Sequence, residues 1–369
     1  MANIIGSPSR YIQGKGELAN IAVYAANLRR KRIFALVSKS GKSRVENILL
    51  ESVKKTGSTV TFEIFNGECS ANEIKRVYNS LKASDSDVIA GIGGGKILDT
   101  AKSVAEDAGI PILIAPTIAS TDAPCSALAV VYTDDGVFER YRFLNQNPNI
   151  VLVDTGIVAA APVRLLISGM GDALATYFEA RSCLQKDAGN CVGGKTTLTA
   201  QAIARLCYDT LIRDGKKAAT ALEKGGCTKA VENIIEANTY LSGIGFESGG
   251  LAAAHAVHNG LTALRETHAF YHGEKVAFGT IVHLVLENAP ACELEEVLKF
   301  CTDVGLPITL ADLNVKDPSE AALREVAEKT AVPDETIHNM PFTVTPETVY
   351  DAILGADAIG TRWKASLCK

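Results

Sequence analysis

Four of the six histidines in this chain fall within 18 residues: His255, His258, His268 and His272. The first two stand in Leu251-Ala-Ala-Ala-His-Ala-Val-His-Asn-Gly260, a run of alanine and aliphatic residues. Spaced three apart, they share one face of a helix. An imidazole is costly to bury without a partner, and a metal ion is a partner that several imidazoles can share. One oxygen ligand with two imidazoles and an open coordination position suits catalytic Zn²⁺ or Fe²⁺. Spacing alone leaves the choice among the four histidines open. His283, on an apolar helix, and His338, in Thr-Ile-His-Asn, lie outside the cluster.

An oxygen ligand is on offer in Ser168-Gly-Met-Gly-Asp172-Ala-Leu-Ala-Thr176-Tyr-Phe-Glu179, a helical pattern apolar nearly all round. Asp172 and Glu179 are seven apart and so share a face. A carboxylate buried without a partner costs several kcal/mol. Asp172 therefore asks for a metal, for N–H donors at a helix end, or for an arginine such as Arg181.

A second constellation is Val88-Ile-Ala-Gly91-Ile-Gly93-Gly94-Gly95-Lys96, which joins a predicted strand to a predicted helix. Glycines let a backbone approach a ligand closely, and a helix N-terminus offers N–H groups and a positive dipole end. Such a turn suits a pyrophosphate. It is neither the G-x-G-x-x-G fingerprint, because Lys96 stands at the third position, nor a P-loop. Pro116-Thr-Ile-Ala-Ser-Thr-Asp-Ala-Pro124 follows the next strand, where ligands bind in open α/β sheets. Its hydroxyls and Asp122 suit a cofactor phosphate or ribose, or a substrate hydroxyl; the alternative is a plain Ser/Thr/Asp turn.

The elements that must hold these groups fall into two halves. Strand patterns at 32–37, 60–65, 88–92 and 110–115 alternate with helical patterns at 43–55, 71–81 and 97–108, with further strands at 127–132 and 150–153. This alternation predicts an α/β domain with a mostly parallel sheet. From Pro162 onward the patterns are helical throughout, at 165–183, 195–213, 229–242, 250–264, 275–288, 293–304, 320–329 and 346–360. The expected layout is a dinucleotide-binding α/β domain over residues 1–160 and an all-helical metal and substrate domain over 161–369. A chain of 369 residues exceeds one compact core, which agrees with two domains.

With 47% hydrophobic and 21% charged residues the composition is that of an ordinary globular chain. A net charge of −5 gives no electrostatic footprint for nucleic acid. The basic run Arg29–Arg32 reads as a solvated helix end. No stretch reaches the roughly 20 apolar residues of a membrane span, and residues 1–20 lack the pattern of a signal peptide. Nine dispersed cysteines without a C-x-x-C pair fit reduced thiols in the cytoplasm rather than a metal cluster.

The chain resembles the iron-containing alcohol dehydrogenase family, and within it the glycerol dehydrogenase branch. The resemblance is carried by Gly91-Ile-Gly-Gly-Gly-Lys-Ile-Leu-Asp-Thr-Ala-Lys102, Pro116–Pro124, Gly171-Asp-Ala-Leu-Ala-Thr176, Gly245-Phe-Glu-Ser-Gly-Gly-Leu-Ala-Ala-Ala-His-Ala-Val-His-Asn-Gly260 and His272-Gly-Glu-Lys-Val-Ala-Phe-Gly279. It extends over nearly the whole chain and implies a fold like that of dehydroquinate synthase. It implies Asp172, His255 and His272 as metal ligands that also face the substrate. Often a fourth ligand, a histidine, stands four residues after the aspartate in this family. Here that position is Thr176, which fits a three-ligand zinc site with room for two substrate oxygens.

The same resemblance places a cofactor pyrophosphate on Gly94, Gly95, Lys96, Ile97 and Leu98. Ser38, Thr117, Ile118, Ala119, Ser120, Ser126, Leu128 and Tyr132 would line the rest of the cofactor site. Asp122 would contact a glycerol hydroxyl, and His258 would relay a proton or simply pack. The implied reaction is NAD-dependent oxidation of glycerol and related vicinal diols, giving dihydroxyacetone from glycerol, at a zinc site in an interdomain cleft. Fe²⁺ is the alternative metal. A cytoplasmic homo-oligomer, octamer or tetramer, is implied as well, with no nucleic-acid or membrane partner.

One position departs from the family. The strand ending Leu36-Val37 continues Ser38-Lys39-Ser40, where relatives carry an aspartate that accepts from the adenosine ribose. Loss of the carboxylate and gain of Lys39 remove repulsion against a 2′-phosphate. A weaker preference for NAD over NADP is therefore expected, unless Ser38 serves the ribose in its place. Two other readings compete. A lyase of the dehydroquinate synthase type, like a glycerol-phosphate dehydrogenase, would need several cations for an anionic substrate, whereas the histidines here sit among alanine and glycine. A cofactor-binding protein without catalysis would not need Asp172, His255 and His272 together.

Overall fold

The computed structural model describes residues 1–367, which divide into two units. The first spans Gly6–Pro162. Its elements are β1 (Arg10–Gly14), α1 (Ile21–Asn27), β2 (Arg32–Val37), α2 (Lys39–Thr56), β3 (Thr59–Ile64), α3 (Ala71–Ala83), β4 (Val88–Gly93), α4 (Gly95–Ala108), β5 (Ile112–Pro116), β6 (Leu128–Tyr132), β7 (Phe138–Phe143), β8 (Ile150–Asp154) and α5 (Thr155–Ala159). Six strands form one parallel sheet in the order β1-β8-β5-β4-β2-β3. β4, β5 and β8 are buried along their whole length, which is why they read as unbroken apolar runs. Ile33, Ala35, Val37, Ala90, Ile92 and Leu113 pack with Leu18, Ile21, Val45 and Leu49 from the helical side.

Sheet order decides where a ligand can sit. From β2 the chain moves outward to β3, then returns to β4 on the other side of β2. That reversal is a topological switch point, and open α/β sheets bind ligands outside the carboxyl ends of such strands. Val37 pairs with Ile92 in the register, so Ser38 and the glycine turn emerge side by side there.

Two strands escaped the sequence patterns. β1 is a half-exposed edge strand, and β7 is mostly exposed, so neither carries an apolar run. β7 pairs antiparallel with β6 in a two-stranded ribbon separate from the main sheet.

The second unit joins Met1–Ile5 to the chain from Val163 on. Asn3 Nδ2 donates to the Thr196 carbonyl at 2.9 Å, and Ile4 N–H to the Lys195 carbonyl at 3.0 Å. Among the described residues nine α-helices follow: α6 (Val163–Lys186), α7 (Leu198–Leu222), α8 (Lys229–Glu236), α9 (Ser242–Gly249), α10 (Ala253–Leu261), α11 (His272–Leu286), α12 (Ala291–Val304), α13 (Glu320–Thr330) and α14 (Pro346–Leu367). The single helix expected over 229–242 is instead α8, a π-helical turn over Ala237–Leu241, and α9. No described helix is long and apolar enough to cross a membrane.

Helices α6, α10 and α11 meet at Ala175, Ala254 and Val276, all fully buried. Small residues set their spacing. A Cβ on Gly273 would stand 1.8 Å from the Ser168 carbonyl oxygen, and one on Gly171 would stand 2.3 Å from the Gly273 carbonyl oxygen. Only glycine at both positions lets α6 and α11 approach this closely. Gly250, at φ 103°, turns the chain between α9 and α10 in a conformation that side chains avoid.

Candidate metal centre and cofactor loops

Asp172 on α6, His255 on α10 and His272 at the start of α11 converge where these helices pack. Asp172 Oδ1 lies 3.3 Å from His255 Nε2 and 3.0 Å from His272 Nε2. One ligand atom from each residue lies within 4.8 Å of the other two. Asp172 is fully buried. Burial alone would push its carboxyl up, but the His272 and His255 imidazoles hold it well below the usual carboxylate range. Arg181, a competing partner on sequence grounds, instead binds Glu293 at 2.8 Å and Glu287.

Each imidazole is also held from behind. Glu179, one face-repeat beyond Asp172, is fully buried, and its Oε2 accepts from His255 Nδ1 at 2.6 Å. Its Oε1 accepts from the backbone N–H groups of Ala252 at 2.9 Å and His255 at 3.0 Å. Burial opposes the charge on Glu179, yet His255 and these donors bring its carboxyl below the ordinary value. Desolvation likewise opposes charge on His255, but the Glu179 and Asp172 carboxylates raise it well above its usual range. With Nδ1 engaged by Glu179, Nε2 is the ring nitrogen that faces Asp172 Oδ1.

This donor set fits a divalent cation: one carboxylate oxygen and two imidazole nitrogens, with the opposite ring nitrogens occupied in the manner of metal-binding histidines. Thr176, the position at which the family resemblance implies a possible fourth ligand, is buried, and its hydroxyl pairs with Ser242 Oγ at 2.9 Å.

Of the remaining histidines, His258 joins the group and the others do not. His258 Nε2 lies 3.1 Å from His272 Nδ1. Burial, with His272 and Lys275 nearby, keeps it well below its usual pKa and hence neutral. His268 is exposed and contacts the Thr262 carbonyl at 2.9 Å. His283 is buried against Ser182 Oγ at 3.1 Å, and His338 contacts the Val332 carbonyl at 3.1 Å.

In the first unit the glycine turn caps α4 with Gly94 and no side-chain oxygen. The helix end is thus left for an outside acceptor, as an anion site requires. A Cβ on Gly94 would meet Ile118 Cδ1 at 3.1 Å, and one on Gly95 would meet Thr121 Oγ1 at 3.9 Å. Thr117 N–H donates to the Gly93 carbonyl at 3.0 Å. Gly94 and Gly95 therefore adjoin the 117–121 segment, which also carries Ala119 and Ser120. Lys96 Nζ pairs with Glu68 at 2.5 Å and lies 5.1 Å from the Tyr132 ring centroid. Ile97, Leu98 and Ser126 are buried, Leu128 and Tyr132 are half-buried on β6, and Asp122 is buried in its loop. Ser38 Oγ accepts from Gly41 N–H at 2.9 Å and so caps α2.

The sequence reading missed what holds the 117–130 segment in place. Lys102, fully buried on α4, reaches the carbonyls of Ala123 at 2.9 Å and Ser126 at 3.4 Å, and that of Leu128. It pairs with Asp99 at 2.9 Å, whose Oδ2 accepts from Val130 N–H at 3.0 Å. The signal was present as Asp99 and Lys102, spaced i, i+3 in an apolar helix.

Known proteins resemble this chain over nearly its whole length. A profile of the family described as "Iron-containing alcohol dehydrogenase" matches residues 8–155. The glycerol dehydrogenase of Escherichia coli O6:H1 is 53% identical over 363 residues, covering 98% of this chain and 99% of that one. The glycolaldehyde reductase of Halobacterium salinarum is 45% identical, covering 98% and 99%. The crystal structure of glycerol dehydrogenase from Schizosaccharomyces pombe superposes with a TM-score of 0.95 at 39% identity, covering 99% of this chain and 93% of that one.

Proposed function

The chain belongs to the iron-containing alcohol dehydrogenase family, and from that premise we propose that it oxidises glycerol and related small vicinal diols at a secondary carbon. Glycerol would give dihydroxyacetone. NAD would accept the hydride, and a zinc ion, with Fe²⁺ as the alternative, would be held by Asp172, His255 and His272. The observation that carries this reading is the convergence of three ligand atoms within 4.8 Å on a buried carboxylate. Relatives named for glycerol and for glycolaldehyde both act on compounds with oxygens on adjacent carbons, which supports a two-oxygen substrate.

When bound, the ion would supply Lewis acidity to the alcohol. The protein's part is placement. Glu179 and His258 hold the two imidazoles from behind, so that both Nε2 atoms face the same carboxylate oxygen. Thr176 leaves the fourth protein position unfilled by a nitrogen ligand, which keeps space for a second substrate oxygen. The α4 N-terminus with Gly94 to Leu98 would take the cofactor pyrophosphate, Ser38 the adenosine side, and Thr117 to Ser120, Ser126, Leu128 and Tyr132 the remainder. Asp122 would hydrogen-bond a substrate hydroxyl.

Metal analysis combined with a substrate panel tests the reading. Zinc or iron near one per chain is expected, with NADH formation from glycerol and propane-1,2-diol but not from glycerol phosphate. Asp172→Ala or His255→Ala should abolish both metal retention and turnover while NADH fluorescence titration shows unchanged cofactor binding. Turnover that survives either substitution would refute the site.

A further inference from the structure

His258 is not an isolated neighbour of the metal centre. Its Nδ1 lies 3.0 Å from Asn259 Oδ1, and Asn259 Nδ2 donates to Glu335 Oε1 at 2.9 Å. Glu335 Oε2 accepts from Thr336 N–H at 3.2 Å, at the start of a 3₁₀ turn over Thr336–Asn339. Hydrogen-bond direction along this chain follows from the groups themselves. A carboxylate accepts, so Asn259 turns its amide nitrogen toward Glu335 and its carbonyl oxygen toward His258. A carbonyl oxygen accepts, so His258 carries its proton on Nδ1. The neutral ring then has its lone pair on Nε2, 3.1 Å from His272 Nδ1, which must donate. A neutral His272 would then keep its lone pair on Nε2, the atom that faces Asp172 Oδ1 at 3.0 Å and would bind the metal.

We infer that His258, Asn259 and Glu335 are positioning residues that lock His272 in its metal-binding tautomer. This rests on the reading that Asp172, His255 and His272 hold a metal. The two ligand imidazoles are thereby set by two carboxylates: His255 by Glu179 directly, and His272 by Glu335 through two intermediates. His258 serves the metal centre without touching the reacting atoms. Glu335 lies 63 residues beyond His272 in the chain, so no local spacing betrays the link.

Zinc affinity, read by competition with a chromophoric chelator, separates the possibilities. Breaking the chain in Asn259→Leu or His258→Leu should weaken zinc binding about 10- to 100-fold, the usual effect of losing an outer partner of a ligand. His258→Gln places an amide oxygen where Nε2 stood, can still accept from His272 Nδ1, and should recover most of that loss. Thermal melts of the metal-free proteins should stay close to one another, which a merely structural role would not predict. Unchanged zinc affinity in both leucine variants, or equal loss in His258→Gln and His258→Leu, would overturn the inference. Failure of the unaltered protein to bind zinc or iron at all would overturn the metal reading itself.

Discussion

Glu179 Oε2 accepts from His255 Nδ1 at 2.6 Å, while Glu179 Oε1 takes two backbone N–H groups from the segment that opens α10. One carboxylate thus fixes both the start of the helix and the orientation of the imidazole it carries. Glutamine at this position has a single oxygen to share. If that oxygen keeps the two backbone donors, the amide N–H₂ faces His255 Nδ1 and favours the tautomer with a proton on Nε2. Glu179→Gln is therefore expected to lower zinc affinity about 10- to 100-fold and to lower the melting temperature of the metal-free protein. Chelator competition reads the first effect; an unaltered zinc dissociation constant would show that Glu179 does not act through His255.

Lys102 and Asp99 invite a complementary experiment in the α/β unit. Lys102→Met removes the cation that gathers the carbonyls of Ala123, Ser126 and Leu128 and leaves the buried Asp99 without its lysine. Breaking a buried pair from one side costs about 3–5 kcal/mol. The double variant Asp99→Leu/Lys102→Met should regain much of that stability, yet still leave the loop unanchored. Both variants are expected to bind NADH about tenfold more weakly, equivalent to about 1.4 kcal/mol, with zinc affinity unchanged. Fluorescence titration that finds full NADH affinity in the double variant would confine the pair to a structural role.

Much of this architecture was legible because burial leaves a mark in sequence. β4, β5 and β8 are apolar throughout since both sheet faces are covered, and α6 is apolar all round since it is enclosed. Asp172 and Glu179 stood out as carboxylates in such surroundings, and both meet His255. β1 and β7 were missed because their exposure admits polar residues and breaks the apolar run. Asn259 and Glu335 were missed for a different reason. Their link joins α10 to a turn 76 residues away, and only tertiary packing brings them together. Resolving which histidines could be ligands also needed the fold: His268 is as close in sequence as His258 but faces outward.

Acid stability of the α/β unit should report on Glu73. Its carboxylate takes Arg76 Nε at 2.8 Å and Asn66 N–H at 3.0 Å. Burial opposes the charge, but these partners bring the carboxyl below its ordinary value of 4.5. A depressed carboxyl stabilises the fold above its unfolded value and loses that contribution as pH falls through the lower, folded value. Glu73→Gln should therefore destabilise by about 1.5–3 kcal/mol near neutral pH. The gap should narrow as pH falls below the ordinary value of 4.5. Urea midpoints measured across this range check the sign: a gap that widens on acidification would contradict it.

Cofactor choice provides the sharpest test of the Ser38-Lys39 segment. Ser38 Oγ is engaged as the cap of α2, through Gly41 N–H at 2.9 Å. Lys39, the first residue of that helix, is exposed at the carboxyl edge of β2 beside the topological switch point. Ser38, Lys39 and Ser40 themselves supply no carboxylate to accept from a ribose or to repel a 2′-phosphate. Lys39→Asp supplies a carboxylate, and an acidic residue in the first turn also suits the helix dipole, so the fold should tolerate it. Replacing a cation with an anion near a 2′-phosphate changes the interaction by two charges. NADP turnover should accordingly fall relative to NAD turnover by about tenfold or more, equivalent to about 1.4 kcal/mol. The kcat/KM ratio for the two cofactors, compared between the unaltered chain and Lys39→Asp, decides it. An unchanged ratio would mean that Lys39 takes no part in adenosine-side selection.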